Sequence, residues 1–458
     1  MQRMFFKLNK EDNLLKGSVP RTFFSYLVPT IIGMLTNSVY CMVDVMFVGN
    51  CIGEQGLAAF NIAMPIFTIF SSVGLMLGVG GAVTISVLIG LGEKEEADRV
   101  FSLTVVSSFA AGMLMSVCGT LFLRPLSIAL GATPELLPDV MDYLRPLQYI
   151  AVFYIMNNTM QVIIRTDYNP KLVMAAAVAG NGMNIFLDWL FVSVFGWGLT
   201  GASTATAVGP CVAMLILSFH YFCRKNTLRF RTDFFRMEYL KRIMKNGFGT
   251  FILEFSSGTV VFLFNAVLLR VSGQAAVAVY AVVSNIAYVG KGIFNGISQA
   301  AQPLISVNFG AGNKERIKRA LRFAMLTAIV FAALCYILIL LFPKQLLVFF
   351  VGNDSTLIKI GIRSLDVYFI SFIFTGINTI YMYYFQSVES AKVNIAIALS
   401  RGIVLIAAGL LIFPFFWGET GVWLTITFAE VFTLAWIIPV KRRFDRLNQE
   451  QMLLHPNI

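Results

Sequence analysis

Charge and histidine are both scarce in this chain. Only 13% of its 458 residues are Asp, Glu, Lys or Arg, about half of the ~25% found in soluble domains. A folded soluble domain is therefore excluded. Histidine occurs twice, at His220 and His455, too few for a histidine metal site or a histidine proton relay. The six cysteines (Cys41, Cys51, Cys118, Cys211, Cys223 and Cys335) show no CxxC or zinc spacing, and most fall in apolar stretches, where a thiol packs as a small apolar group. The glycines of GLMLGVGG, Gly74, Gly78, Gly80 and Gly81, form neither a Walker loop nor GxGxxG. They sit at helix-packing spacing, so no nucleotide site is expected. Acidic clusters of the DDxxD kind are also missing, which argues against a membrane-embedded transferase.

Hydrophobicity fills the space that charge leaves. Hydrophobic residues make up 57% of the chain and the mean hydropathy is +0.76. A membrane span needs about 20 mostly apolar residues. Twelve such segments are read at 20–48, 56–82, 100–123, 140–164, 172–195, 200–222, 244–270, 276–303, 320–342, 358–385, 393–415 and 420–439. Backbone groups in hydrocarbon must bond within their own segment, and no alternating ten-residue barrel pattern is present. The fold class expected is an all-α polytopic membrane protein with twelve transmembrane helices.

The net charge of +11 raises a nucleic-acid partner, but the basic residues sit in alternate loops rather than on one folded face. They cluster at the start (Arg3, Lys7, Lys10, Lys16, Arg21) and between helices six and seven (Arg224, Lys225, Arg229, Arg231, Arg236, Lys241, Arg242, Lys245). Further sets lie between helices eight and nine (Lys314, Arg316, Lys318, Arg319, Arg322) and at the end (Lys441, Arg442, Arg443, Arg446). The intervening odd-numbered loops carry almost none, Arg124 and Lys344 being the exceptions. By the positive-inside rule both termini face the cytoplasm, as an even helix count requires. The polar, basic start is expected to leave insertion to the first helix rather than to a cleaved signal.

The longest polar interval, 223–243, divides the chain into lobes 1–222 and 244–458. If it joins two copies of one module, residues should recur at a fixed offset, and they do at about 220. ISVLIGLGEKEEADR (85–99) aligns with ISVNFGAGNKERIKR (305–319), FGWGLTGA (195–202) with FFWGETGV (415–422), and Asn158 with Asn378. Three matches in one register mean internal duplication. Six helices per copy give both copies the same orientation, hence parallel lobes related by a pseudo-twofold along the membrane normal. That is a transporter architecture with the substrate path between lobes.

Ionisable groups inside spans are costly, about 2.5–3.5 kcal/mol on insertion scales, and usually mark function. In the first half these are Asp44 on helix one and Asp188 in NGMNIFLDWLF on helix five, with Asn157 and Asn158 on helix four. Tyr40 and Asn184 each precede one of these acids by four residues, sharing a helix face with it. Thr206 and Tyr143 could add hydroxyls. Carboxylates, amide oxygens and hydroxyls are hard ligands for a small cation, and two neighbouring carboxylates can also hold a proton. The expected site is thus Asp44, Asp188 and Asn184 as ligands of Na+, or the two acids as proton carriers, in one cavity at matching depth. The bland alternative is that both acids only cap backbone or bond their Asn neighbours. The second half offers Glu254, Lys291, Asn378 and Arg401, with Glu254 and Lys291 expected either to pair across helices or to contact substrate or coupling ion. No cofactor is expected beyond the coupling ion.

Pro29 in helix one followed by NSVYCMVDVMFVG, then AAFNIAMP, IGLGEKEEADRV and NGMNIFLDWLF, resembles the multidrug and toxic compound extrusion (MATE) antiporters over essentially the whole chain. The resemblance implies a two-lobed secondary antiporter of a bacterial inner membrane, exporting cationic organic compounds in exchange for Na+ or H+. It also implies a first-lobe coupling site made of Asp44, Tyr40, Tyr143, Asn158, Asn184, Asp188 and Thr206. Drug or toxin substrates and the lipid bilayer are the expected partners, with no nucleic acid, and a twelve-helix monomer is sufficient. Phe and Met, 42 and 20 in number, would suit flat hydrophobic cations if they line the inter-lobe cavity. The rival is a flippase of lipid-linked sugars or another amphiphile, with Lys291, Arg401, Arg270 and Arg363 as its only pyrophosphate-binding candidates.

Overall fold

The computed structural model describes residues 14–352 and 354–454, and no strand occurs among them. Arg3, Lys7, Lys10 and His455 lie outside the described residues. The first lobe comprises α1 (Val19–Ile52), α2 (Glu54–Leu91), α3 (Lys94–Leu121), α4 (Leu137–Tyr149 and Ala151–Thr166, broken at Ile150), α5 (Pro170–Asp188, continued by the π-turn Trp189–Val194) and α6 (Gly198–Phe222). The second comprises α7 (Met237–Ser272), α8 (Gln274–Gly310), α9 (Lys314–Leu341) and α10 (Ser355–Phe369 and Ser371–Ser387, broken at Ile370). It ends with α11, from Ala391 through a π-turn at Ser400–Val404 to residue 417, and α12, from residue 419 onward.

Among the described residues nine helices are long and apolar enough to cross a membrane. That number merges α11 and α12, although the chain turns at Gly418 (φ 53°, ψ −133°) and folds back so that the Phe413 and Phe428 rings sit 4.7 Å apart. It also omits the broken α4 and α10. Twelve spans result, as the hydropathy predicts.

The repeat extends to single turns. The breaks at Ile150 and Ile370 are equivalent, as are the left-handed glycines Gly92 and Gly312. At the first, Gly92 N–H donates to Ile89 O (3.1 Å) and Glu93 N–H to Leu88 O (2.9 Å); at the second, Gly312 N–H donates to Phe309 O (3.1 Å) and Asn313 N–H to Asn308 O (2.8 Å). Both ends are Schellman caps, which need a residue at φ > 0, and glycine adopts it without a Cβ penalty.

Helix seven begins seven residues earlier than its hydropathy predicts, at Met237 rather than 244. The extra turns carry Lys241 and Arg242, so a hydropathy reading stops where the helix leaves the apolar layer, not where its hydrogen bonds stop. The rest of the linker is stitched to the first lobe. The Asp167 carboxylate accepts from Thr227 N–H (3.0 Å), the Thr227 hydroxyl and His220 Nε2 (2.7 Å). Arg229 N–H donates to Asp98 Oδ1 (2.9 Å) and Arg231 N–H to Ser102 Oγ (2.8 Å).

The lobes meet at the end that bears this linker. A Cβ on Gly90 of α2 would lie 2.1 Å from Val307 O of α8, and one on Gly310 would lie 2.1 Å from Val87 O. Hydrogen bonds cross the same seam, from Tyr239 Oη to Glu96 Oε2 (2.5 Å) and from Asn246 Nδ2 to Thr84 Oγ1 (3.1 Å). Helices α1 and α7 also exchange cores. Val19, Phe23, Tyr26 and Leu27, from the start of α1, join the apolar core of the second lobe, whereas Val48 near its far end belongs to the first. Conversely Ile243, at the start of α7, packs with first-lobe residues, and Phe264 and Leu268 with the second lobe.

Candidate ion-coupling site

The first-lobe acids are buried together. Asp44 is 4% exposed, Asp188 0%, and each carboxylate lies within electrostatic reach of the other and of the Tyr143 hydroxyl. Four helices assemble this group: α1 gives Asp44, α4 Tyr143, α5 Asn184 and Asp188, and α6 Thr206. The α5–α6 approach is set by glycine, since a Cβ on Gly180 would lie 2.8 Å from Gly209 O. One turn further along, Asn184 Nδ2 reaches Thr206 Oγ1 (3.3 Å), whose hydroxyl donates to Ala202 O (3.0 Å). The Tyr143 ring is anchored edge-on against Phe60, 5.4 Å between centroids.

The bonding of these groups is incomplete in a consistent way. Asp44 Oδ1, Asn184 Oδ1, both oxygens of Asp188 and the Tyr143 hydroxyl are buried with no protein partner. Buried polar atoms are normally satisfied, and this set of unpartnered oxygens on converging helices is an exception to that rule. No group of three or more His, Cys, Asp or Glu residues suited to a metal occurs among the described residues. Two carboxylates with neutral amide and hydroxyl oxygens fit a hard monovalent ion or a proton rather than a transition metal. Both oxygens of Asp188 are without a protein partner, so this acid neither caps backbone nor bonds an Asn neighbour.

Two of the expected residues have further neighbours in the structure. Tyr40 belongs to an inter-lobe cluster with Cys41, Tyr154 of α4 and Tyr288 of α8, in which Tyr154 Oη bonds Ser71 Oγ (3.2 Å) and Asn37 Nδ2 donates to Tyr288 Oη (3.4 Å). A four-residue spacing leaves about 40° of rotation between side chains, enough for α1 to turn Asp44 into the bundle and Tyr40 into the cleft. Asn158 lies against Gly74 of α2, where a glycine Cβ would come within 2.9 Å of its own, and its Nδ2 has no protein partner.

In the second lobe the expected Glu254–Lys291 pair does not form. Each stands about eighteen residues from the Gly273 turn, which makes them level, but height does not fix the direction a side chain takes. Lys291 falls between Gly290, packed on Phe372 of α10, and Gly292, packed on Ser38 of α1. Arg401 and Asn378 instead converge on Glu430 of α12, a residue that the sequence reading missed. Asn378 Nδ2 donates to Glu430 Oε2 (2.6 Å) and Arg401 Nη2 to Oε1 (2.7 Å), while Arg401 Nη1 reaches Thr379 Oγ1 (2.9 Å). The missed signal was a lone acid in the apolar run of α12, directly analogous to Asp188. Asp188 immediately precedes one π-turn and Arg401 lies within the other, a local widening frequent at functional sites.

A profile of the MatE family matches residues 29–190 and 248–411, one block in each lobe. The chain belongs to the MatE family. It is 25% identical to the multidrug export protein MepA of Staphylococcus saprophyticus over 439 residues, covering 95% of this chain and 96% of that protein. MepA of Staphylococcus aureus is 24% identical over 435 residues, 94% of this chain and 96% of its own. Among solved structures, an outward-facing multidrug resistance MATE transporter of the MOP superfamily superposes with a TM-score of 0.90 at 24% identity, over 96% of this chain and 98% of that one. A MOP superfamily transporter from Pyrococcus furiosus gives 0.89 at 24% identity, over 95% and 98%. The two-lobed, twelve-helix plan is thus the MATE fold.

Proposed function

We propose that this MatE family member is a secondary multidrug efflux antiporter of a bacterial plasma membrane, exchanging Na+ or H+ for cationic, hydrophobic organic compounds by alternating access. The observation that carries this reading is the pair Asp44 and Asp188, both buried and within electrostatic reach of each other, with unpartnered oxygens, in a group with Asn184, Thr206 and Tyr143. An inward-moving ion releases about 2.3 kcal/mol per charge per 100 mV, enough to drive export without a nucleotide or an enzymatic step. The names of the staphylococcal relatives, both multidrug export proteins, support the substrate class.

The basic loops support cytoplasmic termini. With that orientation the closed seam at Gly90 and Gly310 is the cytoplasmic gate and the cleft opens outward. Helix α1 links site to gate, since Asp44 sits in the first lobe while the start of the same helix is held in the second. Loading Asp44 and Asp188 with a cation or proton removes their mutual repulsion, lets α1 and α5 draw together, and so shifts the packing of α1 at the seam. The flippase reading is weakened by Arg401, whose charge is already matched by Glu430 (2.7 Å), and by the exposure of Arg270 and Arg363. A monomer suffices, and neither nucleic acid nor cofactor is needed.

Purified protein in vesicles, given a Na+ gradient or a pH gradient alone, tests the coupling. Dye efflux driven by one gradient identifies the ion; efflux driven by neither sinks the antiport reading.

A further inference from the structure

Below the tyrosine cluster, Arg165 sits at the seam between lobes. It is 5% exposed, in the last turn of α4, and donates through Nη1 to Gln299 Oε1 of α8, while its Nε has no protein partner. No carboxylate of the described residues lies within ion-pair distance. Its neighbours are a neutral amide and a phenol, and Gln299 Nε2 in turn donates to Tyr383 Oη (3.4 Å). A buried guanidinium is normally matched by an anion, because an amide dipole offsets only part of its desolvation. The contrast within this molecule is direct, since Arg401 is equally buried but matched by Glu430. Opposite in sign, Glu254 of α7 is half-buried without an ion-pair partner, close enough to act on Tyr154 and Tyr288 of the cleft. Both Glu254 and Arg165 lie within electrostatic reach of Tyr383, and the two charges do not pair with each other.

We infer that the inter-lobe cleft is a zwitterion site, in which Arg165 receives a carboxylate of the transported molecule while Glu254 and the Tyr154–Tyr288 aromatic wall receive its cationic end. A planar guanidinium with a free Nε edge matches a carboxylate in geometry as well as charge. Cargo bearing both an amine and an acid therefore gains a contact that a plain cation does not have. Gln299 is the positioning residue, holding the guanidinium at the seam. This inference rests on the transport reading for its physiological meaning, but binding alone tests it.

The test is fluorescence-polarisation binding to purified full-length protein of two dyes on one scaffold, rhodamine B, which carries a free carboxylate, and its ethyl ester, which keeps only the cation. Arg165→Gln should weaken the acid by about tenfold or more and leave the ester within about twofold, and Arg165→Lys should restore part of the loss. Glu254→Gln should weaken both dyes. Equal loss of both dyes in Arg165→Gln, loss of neither, or failure of the unmodified protein to bind either dye overturns the inference. Selective binding by a protein that no gradient can drive would overturn the antiport reading and leave the zwitterion site standing.

Discussion

Gly90 of α2 and Gly310 of α8, equivalent positions of the two repeats, meet each other at the seam between the lobes. A Cβ built on Gly310 would come within 3.1 Å of Gly90 Cα and 2.1 Å of Val87 O, and a Cβ on Gly90 within 2.1 Å of Val307 O. Where two helices touch backbone to backbone, only hydrogen fits. The duplicated sequence places its smallest residue where the pseudo-twofold brings the copies into contact.

Gly90→Val should therefore wedge the seam open, with an overpacking cost of about 1–3 kcal/mol. Ser306, 0% exposed on the same stretch of α8, reports on this. Replaced by cysteine, it should react with a water-soluble maleimide faster in the Gly90→Val background than in the parent. Equal labelling rates would mean that the seam does not depend on this contact.

The Arg401–Glu430 pair makes a thermodynamic prediction. Removing one partner leaves a buried charge uncompensated, which costs about 3–5 kcal/mol, whereas replacing both with apolar residues of similar size is close to neutral. Thermal unfolding in detergent should show Glu430→Gln well below the parent and Arg401→Met/Glu430→Leu near it. A double variant as unstable as the single one would mean that the pair serves more than its own neutrality.

How much of this was legible differs between the lobes for a physical reason. Asp188 stood out because ten apolar, small or amide residues flank it on either side, and burial without partners is what such an acid must face. Glu430 carried a similar signal but was passed over, since it lies outside the repeat matches that drew attention to Asn378. Helix number, lobe division and parallel repeats follow from hydropathy and offset alone. The rotation of Tyr40 away from Asp44, the failure of Glu254 to meet Lys291, and the exchange of cores by α1 and α7 depend on azimuth and tilt. Those are fixed by packing between segments distant in sequence, through glycines such as Gly180, Gly209 and Gly292.

Asp167 holds the linker on the first lobe, and hydrogen bonds to a charged group are worth about 1.5–3 kcal/mol each at most. Asp167→Ala should free residues 224–236, exposing Arg229 and Arg231 to trypsin. Appearance of two half-length fragments at a protease level that leaves the parent intact is the expected result; identical digestion would assign the linker's attachment to Asp98 and Ser102.

The same linker should loosen in acid. The Arg99 guanidinium, by hydrogen bond and then by charge, holds the Asp233 carboxyl below its ordinary 3.8. A depressed pKa stabilises the folded form above the unfolded value, and that contribution is lost as pH falls through the lower folded value. Hydrogen exchange of the linker, expressed relative to the intrinsic amide rate at each pH and followed from about pH 5 to about pH 2, should rise below about pH 4 in the parent. Asp233→Asn should exchange at a uniformly higher level without that step, and a step that persists in Asp233→Asn would place its origin in another carboxylate.

The central claim is that Asp44 and Asp188 together carry the coupling ion. Its most direct test is gradient-driven dye efflux from vesicles holding equal amounts of the parent, Asp44→Asn and Asp188→Asn, with dye binding measured alongside. The account predicts efflux at background in both variants while dye is still bound; efflux at the parent rate in either variant would contradict it.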